Sequence, residues 1–198
     1  MDSEKLIELF LKFPGIGPRQ AKRFVYFLAG ENKNYVDKLA ELILEIKSGM
    51  RQCERCLRYY EEKNGEKTER LCGICSSPTR DNDLIMIMEK DVDLENIERM
   101  NIYNGKYFVL GGLVSLNGNE ADEIRLKQLY DKAEKEKPKE IILATSATAE
   151  GENTNLYIER IIEPLKIKIS RLGRGLSTGA ELEYSDAETI ENALQNRK

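Results

Sequence analysis

The sequence predicts an α+β protein built from several modules. Three observations predict it. A helical N-terminal stretch is interrupted by a Pro- and Gly-rich turn, and two Cys-x2-Cys pairs follow, fifteen residues apart. Beyond them, apolar runs of strand length alternate with amphipathic segments of helical length. The 198 residues leave room for one or two small domains. The predicted order is a helical unit over residues 1–52, a four-cysteine ribbon over 53–78, an α/β layer over 79–165 and a C-terminal strand, loop and helix over 166–198.

In the first module, FPGIGPRQAKRF (Phe13 to Phe24) reads as a helix end, a tight turn and a new helix. Pro14 closes the first element. Gly15 and Gly17 can take backbone angles closed to residues with a Cβ. Pro18 suits the first turn of the next helix, where a missing N–H costs nothing. Such a turn points backbone N–H groups outward at a helix N-terminus, a ready anion site. Arg19, Lys22 and Arg23 fall at i, i+3 and i+4, on one helical face. The segment resembles a helix-hairpin-helix motif, which holds a nucleic-acid phosphate without reading bases. An ordinary helical hairpin with a solvated basic face carries the same pattern. A further helix runs through Val36, Leu39, Ile43 and Ile46 to about Gly49, with Asn34 as its cap.

Cys53 and Cys56, then Cys72 and Cys75, each form a knuckle able to aim two thiolates at one ion, and two knuckles close a tetrahedral four-thiolate site. Gly73, inside the second knuckle, is placed where positive φ is often needed. Two copies with no spare cysteine argue against a redox dithiol, and a chain without a signal sequence argues against disulfides. A closed four-thiolate site has no open position, so its metal is structural. The spacing fits zinc and iron alike, and zinc is the commoner occupant. A module this short depends on metal to fold. Asn64-Gly65 marks a hairpin tip between the knuckles. Tyr59 and Tyr60 could stack on bases or pack beneath the ribbon.

In the third module, Leu84–Met88 is a continuous apolar run, as in a strand buried on both faces. Tyr107–Leu110 is a second strand, Ile141–Thr145 a third and Ile167–Ile169 a fourth. Glu120–Glu136 and Asn155–Ile162 read as helices. This alternation predicts a layered sandwich with a mostly parallel sheet, whose sites gather at the carboxyl ends of strands. In the tail, Ser185 with Glu188 forms a capping box for a last helix through Ile190 and Leu194.

Composition excludes some functions. The chain has no histidine, which removes a His general base, the triads built on one and His metal ligands. No apolar run approaches the length needed to span a bilayer, and the first ten residues lack a signal-peptide pattern, so a cytoplasmic location is the expectation. The net charge of −4 argues against a whole-surface attraction to DNA. It is unevenly spread: residues 1–80 carry 15 Lys and Arg against 12 Asp and Glu, whereas the remainder carries 16 against 23. A DNA-facing surface is therefore expected to be local and N-terminal.

Several segments in order carry a family resemblance: FPGIGPRQAKRF, the four-cysteine ribbon, IMIMEKDVDLENIE, YFVLGG, IILATSATAEGENTNLYI and RLGRGLSTGAELEYSD. The chain resembles the RecR family of bacterial recombination mediators over nearly its whole length. The resemblance implies that the α/β layer is a Toprim domain. In catalytic Toprim enzymes a Glu after the first strand and a later Asp-x-Asp bind Mg²⁺. Glu89 matches the Glu, but Ser146 and Thr148 stand at the Asp-x-Asp positions. Glu89, Glu150 and Glu152 remain as weak Mg²⁺ ligands if they converge. The resemblance therefore implies a non-enzymatic, nucleoid-associated mediator that acts with RecO, and in some settings RecF, to load RecA onto gapped single-stranded DNA. It implies a structural zinc on the four cysteines and DNA contact through Arg19 and Arg23, with Lys22, Gly15 and Gly17 in the same hairpin. It also implies RecO contact through Glu150 and Glu152 beside Glu89, and assembly from dimer to ring-like tetramer through the hairpin region and the tail. The alternative is a Mg²⁺-dependent Toprim nuclease or topoisomerase-like enzyme.

Overall fold

A computed structural model describes residues 3–61, 70–116 and 124–197. The chain divides into two compact units, Met1–Met50 and Arg51–Lys198.

The first unit holds α1 (Ser3–Leu11), α2 (Pro18–Gly30) and α3 (Lys33–Gly49). Phe10 packs edge-on against Phe13 and Phe24, with ring centroids 5.7 and 5.5 Å away. Ile16 N–H donates to the Phe13 carbonyl, closing the turn between α1 and α2. Gly15 sits there at φ +75°, in the left-handed region that favours glycine. Gly17 does not share that need: as the residue preceding α2 it has φ −91°, which any residue adopts. Pro18 occupies the first turn of α2, as the sequence predicts. The cap of α3 is Asn32 and not Asn34: the Asn32 Oδ1 accepts from Tyr35 N–H at 2.9 Å. Among the helical residues of this unit only Ala21 and Val25 are buried.

Strand β1 (Met50–Gln52) begins at the last residue of the first unit and pairs with β2 (Tyr59–Glu61) as a small sheet, followed by the single turn α4 (Gly73–Ser76). The hairpin tip read at Asn64-Gly65 lies outside the described residues. Next come β3 (Asp81–Met88), α5 (Asp91–Met100), β4 (Gly105–Val109), α6 (Leu126–Glu136), β5 (Glu140–Ala144), α7 (Ala149–Ile162) and β6 (Lys168–Arg171). The four long strands form a wholly parallel sheet in the order β4-β3-β5-β6. Met88 lies opposite both Val109 and Ala144, so three strands end at one level.

Alternation along β3 assigns the two faces. Ile85 and Ile87 join Phe108, Leu129, Ile141, Leu143, Ile158 and Ile162 under α6 and α7. Met86 and Met88 join Leu94, Tyr107 and Val109 under α5. Both faces are covered, which is why β3 reads as a continuous apolar run.

Some element boundaries differ from expectation. The described helix α6 starts at Leu126, and residues 120–123 of the predicted helix lie outside the described residues. Helix α7 starts six residues before Asn155, because Thr148 caps it by accepting from Gly151 N–H at 3.1 Å. The last helix, α8 (Ala187–Gln195), is capped by Asp186 and not by Ser185, with Asp186 Oδ1 accepting from Thr189 N–H at 2.9 Å. No described helix is long and apolar enough to cross a membrane.

Gly151 lies in the first turn of α7, where a Cβ would fall 1.9 Å from the Ser146 carbonyl oxygen. The backbone acceptor cannot rotate away as a flexible side chain could. Gly151→Ala is therefore expected to destabilise the fold by about 1–3 kcal/mol, read as a lowered thermal midpoint.

Candidate metal centre and nucleic-acid interface

All four cysteines are buried, and their Sγ atoms lie within 4.8 Å of one another. Cys56 Sγ and Cys72 Sγ are 3.6 Å apart. A metal at about 2.3 Å from four sulfurs in a tetrahedron sets sulfur–sulfur edges of about 3.8 Å. The geometry and the donor set therefore suit one metal ion. Among the described residues, this is the one group in which three or more such ligand atoms come together.

The knuckles owe their shape to local hydrogen bonds. In the first, Leu57 N–H donates to the Cys53 carbonyl and Cys53 N–H to the Arg58 carbonyl, each at 2.9 Å. In the second, Cys72 precedes the turn of α4, and its N–H donates to Cys53 Sγ at 3.3 Å. Gly73 lies inside that helical turn and has no positive φ. The left-handed residue is instead Leu57, at φ 61°. Its carbonyl accepts from Gln52 Nε2 at 3.1 Å and Arg125 Nη1 at 2.7 Å, which hold a conformation that an L-residue otherwise disfavours.

The ribbon is built onto the edge strand β4. Val109 N–H donates to the Cys56 carbonyl at 2.9 Å. Leu57 packs with the cluster under α6 and α7, while Ile74 packs with the cluster under α5, so the ribbon straddles the strand. Arg55, between the first two cysteines, donates to Glu136 at 2.9 and 3.2 Å and to the Cys75 carbonyl at 3.4 Å. Glu136 is further held by Lys132 at 2.9 Å. Burial pushes the Glu136 carboxyl upward, but Arg55 and Lys132 outweigh it and hold it below the usual carboxylate range. Lys106 on β4 is buried, and its Nζ donates to the carbonyls of Ile74, Cys75 and Ser77 at 2.8, 3.2 and 2.9 Å. Sequence reasoning overlooked both cations. The available signal was a lysine embedded in an otherwise apolar strand, Gly105–Val109.

In the hairpin, Arg19, Lys22 and Arg23 are all exposed on α2. None of them is tied up in an ion pair with a described residue. Gly15 and Gly17 flank Ile16 at the start of the helix, and Ala21 N–H donates to the Gly17 carbonyl at 3.0 Å.

The three candidate acids stand apart in character. Glu89, just beyond β3, is buried, and its Oε2 accepts from Ser146 Oγ at 2.6 Å. Burial alone raises its pKa, yet Lys90 and Ser146 together bring it below normal. Glu150 is exposed. Glu152 pairs with Arg171 at 2.7 Å and with Arg174. Asp93 is a capping acid, its Oδ2 accepting from Lys90 N–H at 3.1 Å, whereas Asp91 ties α5 to β2, its Oδ1 accepting from Tyr59 N–H at 2.8 Å.

Residues 3–47 match the family described as RecR, helix-hairpin-helix, and residues 175–198 match RecR, C-terminal. Residues 83–173 match the Toprim domain. Recombination protein RecR of Lactococcus lactis subsp. cremoris is 39% identical over 195 residues, covering 98% of this chain and 94% of that protein. The chain belongs to the RecR family. Recombination protein RecR of Streptococcus pneumoniae is 38% identical over 194 residues, again covering 98% and 94%. In this RecR-family chain the four cysteines fall between the hairpin and Toprim matches, in the order the sequence predicts.

Proposed function

We propose that this protein is a non-enzymatic, DNA-binding mediator of recombinational repair. It acts in the cytoplasm at the nucleoid, with RecO and in some settings RecF, to load RecA onto gapped single-stranded DNA. The observation that carries this reading is the hairpin: three basic side chains, in no ion pair with a described residue, exposed at the start of a helix next to a glycine turn. Arg19, Lys22 and Arg23 contact phosphates, and Gly15 and Gly17 let the backbone approach them closely. Such contacts ignore base sequence and weaken with salt.

The non-enzymatic part of the reading rests on Ser146. Where a catalytic Toprim enzyme carries its first Asp, this chain places a hydroxyl that donates to Glu89. The Glu89 carboxylate is thus engaged by protein donors, and among the described residues no group of acids is gathered around it for a divalent-metal centre. RecO contact is assigned to Glu150 and Glu152, with Glu89 behind them supporting the loop through Ser146. The four cysteines hold one structural zinc. The module borders at residues 52, 78 and 165 belong to the same reading.

Assembly is supported by the first unit. Phe13, Phe27, Leu44 and Ile46 are more than half exposed. A groove of about 520 Å³ is lined by Phe10, Phe24, Phe27, Leu28, Tyr35 and Leu39, together with the polar Gln20 and Arg23. An isolated unit of this size with two buried helical residues has too little core to stand alone. A second copy of the hairpin is the occupant that covers it, as the first step towards a ring.

The test is a titration of labelled gapped DNA over a salt series, with and without RecO. Binding that falls steeply with salt and tightens with RecO is the expected result. Binding that is absent under both conditions would leave the hairpin a purely structural role and overturn the proposal.

A further inference from the structure

We propose that Lys106 is a positioning residue for the metal centre, fixing the second knuckle through its carbonyls and supplying positive charge to the thiolates. This rests on the reading of the four cysteines as a metal site.

Lys106 is 1% exposed, and lysine is seldom buried without a paired charge. It forms no ion pair with a described residue. Its three acceptors are neutral carbonyls, and all belong to one turn: Ile74, Cys75 and Ser77. One of them is the carbonyl of a ligand, Cys75. A lysine stem reaching from β4 to this turn locks the orientation of both Cys72 and Cys75, which begin and end the knuckle.

The charge balance points the same way. A divalent ion bound by four thiolates carries two net negative charges. Burying that centre is costly unless cations stand near it. Arg55 also reaches the Cys75 carbonyl, but its guanidinium is shared with Glu136 at 2.9 and 3.2 Å. Lys106 has no such competitor. The metal-thiolate centre is its remaining counter-charge, and each offsets the cost of burying the other. The ammonium also acts on the thiolates through space as a buried positive charge, so its loss alters the charge that the sulfurs offer the metal.

The test uses the full chain as purified. Metal content is measured first, then the rate at which zinc passes to a colorimetric chelator. Lys106→Met is expected to lose zinc about 10–100-fold faster than the unchanged protein, the range for residues that support metal ligands. Lys106→Gln, which keeps two N–H donors and removes the charge, is expected to shift in the same direction and serves if the Met variant fails to fold. Tyr107→Phe is the control: on the β4 residue next to Lys106 it removes only a hydroxyl, whose 2.6 Å hydrogen bond goes to Glu98 on α5, and keeps the ring that packs in the cluster with Ile74. In cobalt-substituted protein, the thiolate-to-metal absorption band should move in both Lys106 variants and stay fixed in Tyr107→Phe. Equal zinc-loss rates in Lys106→Gln and the unchanged protein, or equal acceleration in Tyr107→Phe, would overturn the role of Lys106. Absence of bound metal in the unchanged protein would instead overturn the metal reading, and this inference with it.

Discussion

Replacing Arg19 and Arg23 together by glutamate is expected to weaken binding to gapped DNA by at least about 100-fold near 0.1 M salt. Both side chains are exposed on α2, so the substitution disturbs no packing. It reverses two charges where phosphates are proposed to sit, and an assembly repeats that change in every copy. Metal content should be unaffected, because the cysteines belong to the other unit, whereas Arg23 also lines the apolar groove, so assembly is measured alongside affinity. The residual binding should also depend less steeply on salt, since fewer counterions are released. Unchanged affinity in this double variant would remove the hairpin from the DNA interface.

Stripping the metal is expected to have the second largest effect. Small four-ligand zinc modules draw about 10–16 kcal/mol of apparent folding energy from their ion. Here the knuckles are also pinned by Arg125, Lys106 and the hydrogen bond from Val109 N–H, so the ribbon has other anchors. Those anchors bind carbonyls of turns that the ion keeps closed, and they should release when it leaves. Protease cleavage should then appear between residues 53 and 78. The uncovered edge of β4 should drive aggregation, visible by light scattering. A metal-free protein with the cleavage pattern and thermal midpoint of the loaded one would contradict a structural ion.

Periodicity located the strands because each has a strong physical signature. Leu84–Met88 is apolar throughout because both faces of β3 are covered. The cysteine pairs were legible because two knuckles and one ion leave little choice. Capping was harder to place. Asn32 and Asn34 are equally good acceptors two residues apart, and Ser185 and Asp186 are neighbours, so composition alone does not choose between them. Gly73 drew the positive φ in the sequence reading because glycine has no steric penalty there. The strain falls on Leu57, whose carbonyl is held by Gln52 five residues back and by Arg125 sixty-eight residues on, and no local pattern encodes the second donor. Lys106 and Arg55 escaped notice for the same reason. Their roles depend on partners tens of residues away in sequence.

If a second copy covers the first unit as proposed, its thin interior would tie DNA affinity to concentration. If the hairpin is ordered only against a second copy, then dilution does more than separate subunits. It removes the surface on which α2 is fixed, and mass action then sets the fraction of hairpins that are competent to bind. Affinity measured far below the assembly constant would report the cost of ordering the hairpin as well as its contact with phosphate. In a cell, a rise in local copy number at a DNA gap would switch on binding sites, not merely deliver them.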